Sequence, residues 1–339
     1  MIKYRTTCRS CNHTDLKPII DLGKQAIQGS FIYPDKPKPP IRAIDSTITI
    51  CNVLTGGCGL IQNLISIAPE ILYSNYGYRS SISVTMRNHL DNIVDSILHF
   101  VKSNNIVPAR VLDIGANDLY MLKQYPTEIE RVGVDPSNII NEVDPEGIQT
   151  INDCYPSQTV NGSFDIISSI ACFYDIEDPT NFCKEIKRAL TDDGVWVVEF
   201  AYLPAVYSNL AYDGMVHEHL CLYSIANFEH ILKRTGLKIL RLQENDTNGG
   251  SLQAWIVKEE NVKFNSSMFQ KHILELKIKE FQMGLENPDT YVSFMRRVVQ
   301  HKEALVSLLR QLKADGKNIH VYGMAQLNKR LRFFCFLLH

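Results

Sequence analysis

The sequence predicts an α/β protein built around a doubly wound, largely parallel sheet, with a small cysteine-rich module ahead of it and helices behind. Three observations carry that reading. Between Ala109 and about Lys258, short apolar runs alternate with helical stretches. Four of the nine cysteines crowd into the first sixty-odd residues, at positions 8, 11, 51 and 58. Residues 265–314 hold few helix breakers.

The cysteine-rich module contains a proline-rich loop, YPDKPKPP, at 33–40 and gives way to a mostly helical stretch over 66–106. There Leu90, Ile93, Val94, Ile97 and Leu98 recur at spacings of three and four, one apolar helix face. The strand candidates are RVLDIG, RVGVD, FDIISSI, GVWVVEF, LKILRL and LQAWIV. The first four are apolar on both faces, as strands covered by helices on either side must be. GKNIHVYG reads as one further strand entering a glycine turn. The closing LNKRLRFFCFLLH has neither helical nor alternating order. Its Phe333, Phe334, Phe336, Leu337 and Leu338 form an apolar tail expected to aggregate or to cover an exposed edge.

A chain of 339 residues suggests two or three domains. The boundaries fall at 1–65, 66–260 and 261–339. With 45% hydrophobic and 21% charged residues, global disorder is ruled out. A net charge of −2 offers no basic excess for gripping a phosphate backbone, so no nucleic-acid partner is expected. No apolar run reaches the roughly 18–20 residues of a membrane span, and the N-terminus lacks the apolar core of a signal peptide. The expectation is a cytoplasmic monomer with no membrane partner. Thiols stay reduced there, so the cysteines call for a metal, catalysis or burial rather than disulfides.

Cys8 and Cys11 form a CxxC pair, which lets two thiolates reach one ion from a single tight turn. Cys51 and Cys58 supply a second pair that completes a tetrahedron. Six residues separate them, more than the usual two to four or so, and the loop must bulge. Gly56, Gly57 and Gly59 would let it do so. Four thiolates close the shell, which makes a bound zinc structural. Four unrelated buried cysteines are the alternative.

VLDIGAND at 111–118 is an apolar strand running into a turn at Gly115, where a missing side chain lets backbone approach a ligand. Asp113 sits at the strand end. Asp135, 20 residues after Gly115 and at the end of the next strand, is placed to hold both hydroxyls of a ribose. One glycine is not the GxGxxG of dinucleotide binders. With no pyrophosphate to cradle, this loop points to S-adenosylmethionine, and Asp113 suits the cationic amino group of its methionine half. An ordinary strand–turn–helix remains the plain alternative.

AYDGMVHEHLCLYS at 211–224 follows the fourth strand, near the carboxyl edge where open α/β sheets bind ligands. His217 and His219 are two apart and in an extended stretch point the same way, with Glu218 between them. The spacing is not HExxH, so a zinc-protease reading fails. An acid beside a histidine can orient it and raise its basicity for proton abstraction. The alternative is a pair of histidines satisfying loop backbone.

Together these motifs resemble the sugar C-methyltransferases, zinc-containing enzymes that use S-adenosylmethionine to methylate nucleotide-linked 4-keto-deoxysugars at C3. The resemblance runs in order over nearly the whole chain, through CRSC, CGLIQ, YSNYGYRSS, VLDIGAND, VGVDPS, SIACFYDIEDP, VHEHLCLYS and NDTNGGSLQ. It implies a small N-terminal zinc-binding module, a class I, Rossmann-like methyltransferase domain, and a C-terminal Rossmann-like domain. In members that last domain typically opens VYGAxxKGN and runs on, whereas this chain reads VYGMAQLNKRLRFFCFLLH. Truncation just after that domain's first strand is expected.

Carried over, Cys8, Cys11, Cys51 and Cys58 match the zinc ligands. Asp113, Gly115, Asn117, Asp118 and Asp135 match cofactor positions. His219 matches the catalytic base, with Glu218 and His217 beside it. Tyr78 and the Asn248-Gly249-Gly250 turn match the substrate side. Leu119 stands where the family loop continues GxNDG, and its side chain is expected to crowd the turn and weaken cofactor binding. Val216 replaces a tyrosine that many members carry.

The implied chemistry removes the proton at C3, next to a C4 ketone, and needs a positioned base and stabilisation of the oxyanion. His219 takes the proton, held by Glu218, and Tyr78 hydrogen-bonds near the enolate or the sugar. Two rivals stand beside this reading. One is an O- or N-methyltransferase that works by positioning alone and has no need of HEH. The other is a catalytically idle zinc-containing binding protein.

Overall fold

A computed structural model of the chain describes residues 2–27, 43–73 and 76–320. The proline-rich loop at 33–40 and the apolar tail lie outside the described residues. Of the strand expected in GKNIHVYG, only residues 316–320 are described, and they are irregular.

The chain opens with β1 (Ile2–Tyr4), β2 (Leu16–Gln25), β3 (Ile44–Cys51), β4 (Ile61–Asn63) and β5 (Ile65–Ile67). β2, β3 and β4 lie side by side, antiparallel, while β1 pairs with β5. Ile44, Ser46, Ile48 and Ile50 alternate into the interior along β3, a strand pattern that the cysteine spacing alone does not reveal.

α1 (Pro69–Tyr73) and α2 (Val84–Ser103) follow. Ser83 caps α2, its hydroxyl accepting from the Met86 amide at 3.3 Å. Leu90, Ile93, Val94, Ile97 and Val101 form its buried stripe. Leu98, read as part of that stripe, is only partly buried at its edge.

The central sheet begins with β6 (Arg110–Ile114), α3 (Tyr120–Lys123), β7 (Glu130–Val134), α4 (Ile139–Glu142) and β8 (Gln149–Ile151). β9 (Phe164–Ile170), α5 (Pro179–Ala189), β10 (Leu190–Ala201) and α6 (Leu203–Ser208) extend it. After the short β11 (Cys221–Leu222) and α7 (Ile225–Thr235), β12 (Leu237–Asn245) and β13 (Ser251–Lys258) complete it, ahead of α8 (Ser267–Met283) and α9 (Thr290–Ala314). The seven strands run in the order β12-β13-β10-β9-β6-β7-β8. The five from β10 to β8 are parallel, and β13 runs against both its neighbours.

Two cores sandwich this sheet, which is why its strands are apolar throughout. Leu112, Ile114, Ile167, Trp196 and Val198 face one core, and Val111, Ile166, Val195 and Val197 the other. The chain leaves β6 toward β7 and β8, then returns to β9 and β10 on its other side. That reversal opens a crevice at the carboxyl ends of β6 and β9, where a ligand can enter.

β11 does not join this sheet. Cys221 and Leu222 pair instead with Gln62 and Ile61 of β4, so the residues just after HEH are stitched to the cysteine-rich module. α9 braces the same module, packing Tyr291, Phe294 and Val298 against Ile20 and Leu22 of β2. Among the described residues no helix is long and apolar enough to cross a membrane.

Candidate active site and metal centre

The sulfurs of Cys8, Cys11, Cys51 and Cys58 lie within 4.8 Å of one another. Cys8 and Cys58 approach to 3.6 Å, Cys11 and Cys51 to 3.5 Å. A tetrahedral zinc with bonds of about 2.3 Å spaces its sulfurs about 3.8 Å apart, so four thiolates fit one zinc with no open position. The bulge foreseen between the second pair exists. Gly56 and Gly59 turn with φ of +93° and +74°, and a Cβ on Gly57 would lie 2.6 Å from the Cys51 sulfur. Hydrogen bonds from the Cys51 and Cys58 thiols hold the Cys8 thiol well below its ordinary value.

A cavity of 1230 Å³ opens at the crevice. Single small-molecule sites usually measure roughly 300–1,000 Å³, so there is room for a cofactor and a second ligand side by side. Its cofactor side is the β6 turn. Gly115 has φ +79°, and a Cβ there would meet Cys172 at 3.0 Å, so only glycine lets the backbone form this cradle. Asp113 is buried beneath it, accepting from the Ser168 hydroxyl at 2.6 Å. Burial lifts its carboxyl to about 7, against the pull of that hydrogen bond and with help from the nearby Asp135 charge. Asp135 accepts from the Asn117 amide at 2.8 Å and from the Ser137 amide at 2.8 Å. The Ser137 hydroxyl also donates to Oδ1 at 2.5 Å, so the acceptor capacity left for a ribose lies on Oδ2, which takes only the Asn117 amide. This donor set fits S-adenosylmethionine.

Asn117 and Asp118 line the cavity, with the Asn117 amide and one Asp118 carboxylate oxygen turned to a neighbouring segment and Asp118 Oδ1 left without a partner among the described residues. Asn117 accepts from the Ser80 amide and donates to the Tyr78 carbonyl, both at 3.0 Å, and Asp118 accepts from the Ser81 amide at 2.9 Å. Read from sequence as cofactor ligands, they clamp the 78–81 segment onto the loop and so seat Tyr78 at the cavity. Leu119 also departs from expectation. It holds φ +64°, but its side chain is buried in the core over Gly133 rather than in the cavity. The crowding falls on the core, and what remains at the turn is left-handed backbone costing about 1 kcal/mol or more.

The HEH segment bends at His217 and Glu218 instead of running extended, so the two histidines diverge. His217 is 1% exposed, with Nε2 3.3 Å from the Asp45 carbonyl of β3. Glu218 and His219 line the cavity; His217 is not among its lining residues. His219 Nδ1 donates to the Gly214 carbonyl at 2.6 Å, which orients the ring and makes Nε2 its basic nitrogen. The Tyr174 ring packs on the imidazole, centroids 4.3 Å apart.

Asn248 and Gly249 also reach the cavity. Gly250 does not: a Cβ there would lie 2.4 Å from the Ala205 Cβ, so it is a packing glycine against α6. Sequence reasoning missed Ser66, Tyr73, Tyr76, Tyr174, Asp175 and Glu177, all of which line the cavity. Five of them lay inside YSNYGYRSS and SIACFYDIEDP, where nothing in the spacing marked one polar residue above another.

Three family models match the chain in series. One described as "Putative zinc binding domain" covers 8–73, one described as "Methyltransferase domain" covers 86–242, and one described as "C-methyltransferase C-terminal domain" covers 246–337. The C-methyltransferase NovU of Streptomyces niveus is 23% identical over 345 residues, spanning 98% of this chain and 79% of that protein. Two solved structures overlap about half the chain. An S-adenosylmethionine-dependent methyltransferase from Clostridium acetobutylicum ATCC 824 has 15% identity and a TM-score of 0.41, over 48% of this chain and 89% of its own. Magnesium protoporphyrin IX methyltransferase of Synechocystis PCC 6803 has 14% identity and a TM-score of 0.39, over 50% and 79%.

Proposed function

The chain is an S-adenosylmethionine-dependent C-methyltransferase with a four-cysteine zinc module, and from that premise we propose that it methylates C3 of a nucleotide-linked 4-keto-deoxysugar. The observation that carries this reading is His219. An imidazole oriented by the Gly214 carbonyl shares one cavity with the Gly115 cradle. Methyl transfer to oxygen or nitrogen can proceed by positioning, but transfer to carbon needs a carbanion, and a carbanion needs a base.

Asp113, the Gly115 turn and Asp135 would hold the cofactor, which when bound supplies an electrophilic methyl group. Asp135 would accept from the ribose hydroxyls. Asp113 would face the amino group. His219 Nε2 takes the proton from C3, which is acidic because the C4 ketone receives the electron pair as an enolate. Tyr78, seated by Asn117, and the Asn248-Gly249 turn contact the sugar. The zinc lies in a closed shell and has a structural part.

Incubation with candidate nucleotide-linked 4-keto sugars, followed by mass spectrometry and NMR of the product, tests the proposal. A new methyl group on C3 is expected. A methyl group on oxygen or nitrogen would overturn it.

A further inference from the structure

We propose that Asp175 is a second catalytic residue, the acid that hydrogen-bonds the ketone oxygen of the sugar while His219 draws off the C3 proton. This rests on the C3-methylation reading above.

The fold brings Asp175 to the base by two links. It ends the 173–175 turn beyond β9, just after Ala171, whose φ of +57° swings the chain over the cavity. The Leu220 amide donates to the Tyr174 carbonyl at 2.8 Å, and the Tyr174 ring covers His219. Asp175 therefore lies alongside the 218–220 segment, close enough to feel the Glu218 charge, and Asp175, Glu218 and His219 all line the cavity. Its Oδ1 is shut off from solvent and has no hydrogen-bond partner among the described residues. A buried polar atom left this way is costly, roughly 1–3 kcal/mol, unless something else satisfies it. In a cavity built for a keto sugar, that something is the ligand.

The surroundings set its protonation. Tyr73, Tyr76, Tyr174 and Cys172 face it as neutral groups, Glu218 as a like charge, and His219 lies across the Tyr174 ring. Arg5 and Arg9, which reach Glu177 two residues along the chain, are paired with it, and no cation acts on the Asp175 carboxyl among the causes of its shift. Burial, and then the Glu218 charge, push Asp175 well above the ordinary carboxylate range. Both causes favour the neutral acid, which can donate where an ionised carboxylate could only repel an enolate. The tyrosines are pushed up too, which makes them poorer donors, and the flanking Val216 and Leu220 offer none.

The step balances as follows. His219 takes the C3 proton, the C–H pair becomes the C3–C4 double bond, and the carbonyl pair moves to oxygen, where Asp175 donates. As C3 forms its bond to the methyl carbon of a bound S-adenosylmethionine, the methyl–sulfur bond would break, its electron pair leaving on the sulfur of S-adenosylhomocysteine, and the ketone re-forms. Asp175 keeps its proton throughout, and the proton on His219 passes to solvent.

The test is exchange of the C3 hydrogen with solvent deuterium on a 4-keto sugar nucleotide, read by NMR with no methyl donor present, beside calorimetric S-adenosylmethionine affinity. Asp175→Ala should slow exchange roughly 10²–10³-fold with cofactor affinity unchanged. In the wild type, exchange should fall as pH rises through the raised Asp175 value, because only the protonated acid donates. Asp175→Asn keeps the shape and a weaker donor, so it should retain part of the rate and lose that alkaline fall. Should Asp175→Ala not fold, the Asp175→Asn profile decides alone. Wild-type exchange with Asp175→Ala matching it, or Asp175→Asn keeping the alkaline fall, overturns the role of Asp175 only. A wild type that binds cofactor but exchanges nothing at C3 overturns the C3 reading and Asp175 with it.

Discussion

Arg9, in the turn between the first two zinc cysteines, reaches Glu177 on the cavity wall, its Nε 3.4 Å from Oε2. The Arg9 side chain is wholly buried. It also donates to the Asn63 carbonyl, to the Ile65 carbonyl at 3.3 Å and to the Ser66 hydroxyl at 2.7 Å. Ser66 in turn donates to Glu177 at 2.7 Å, and Arg5 reaches its other oxygen at 2.8 Å. A buried cation fixed by the zinc turn thus holds part of the lining of the cavity that His219 also lines.

Zinc removal should therefore reach the substrate side of the cavity. Metal analysis should find one zinc per chain, lost in Cys51→Ser together with stability of the N-terminal module. Arg9→Ala, with zinc retained, should cost about 3 kcal/mol by leaving buried carbonyls unpaired. It should raise the sugar KM more than it weakens cofactor binding. Zinc that survives loss of both Cys51 and Cys58 would refute the ligand set.

Cofactor affinity should depend on pH through Asp113. Its carboxyl sits at about 7 before ligand arrives, and a cationic amino group needs it ionised. Binding should weaken as pH falls through that value and should release a proton about one pH unit below it. Calorimetry in buffers of different ionisation enthalpy measures the release, which Asp113→Asn should abolish. Proton-neutral binding in the wild type would place the amino group elsewhere.

Leu119→Gly should destabilise the protein, although it relieves left-handed strain. The relief is about 1 kcal/mol. Deleting a fully buried leucine side chain costs roughly 2–5 kcal/mol, so a net loss of about 2 should appear in denaturant melts. Since the side chain lies in the core, S-adenosylmethionine affinity should hold. Tighter binding in the glycine variant would revive the crowding that the fold argues against.

The two histidines should separate cleanly. His219→Ala should abolish C3 exchange. His217→Ala should lower it less and lose stability instead, because His217 is buried toward the Asp45 carbonyl. Glu218→Gln should fall between them. Equal exchange in His219→Ala and wild type would remove His219 as the base.

Much of the molecule was legible beforehand because its signals are local. Apolar runs such as VLDI and VWVVEF are strands wherever both faces are covered, and β6, β9 and β10 lie where they were read. Four cysteines declare a metal centre by chemistry and spacing, and their sulfurs converge. The cradle at Gly115 and the acid after the next strand are written 20 residues apart because one strand–turn–helix–strand unit has that length.

What tertiary structure decided is whatever depends on neighbours distant in sequence. The sequence places His217 and His219 two apart, but only the pairing of β11 with β4 bends that segment so that one histidine faces the cavity and the other β3. Asn117 and Asp118 read as cofactor ligands, and only the fold shows that the 78–81 segment also draws on their side chains, leaving Asp118 Oδ1 without a partner among the described residues. Arg9 and Glu177 are 168 residues apart. Asp175 carries no local mark at all. Its protonation is set by desolvation and by the Glu218 charge, and both exist only once the chain has closed around it.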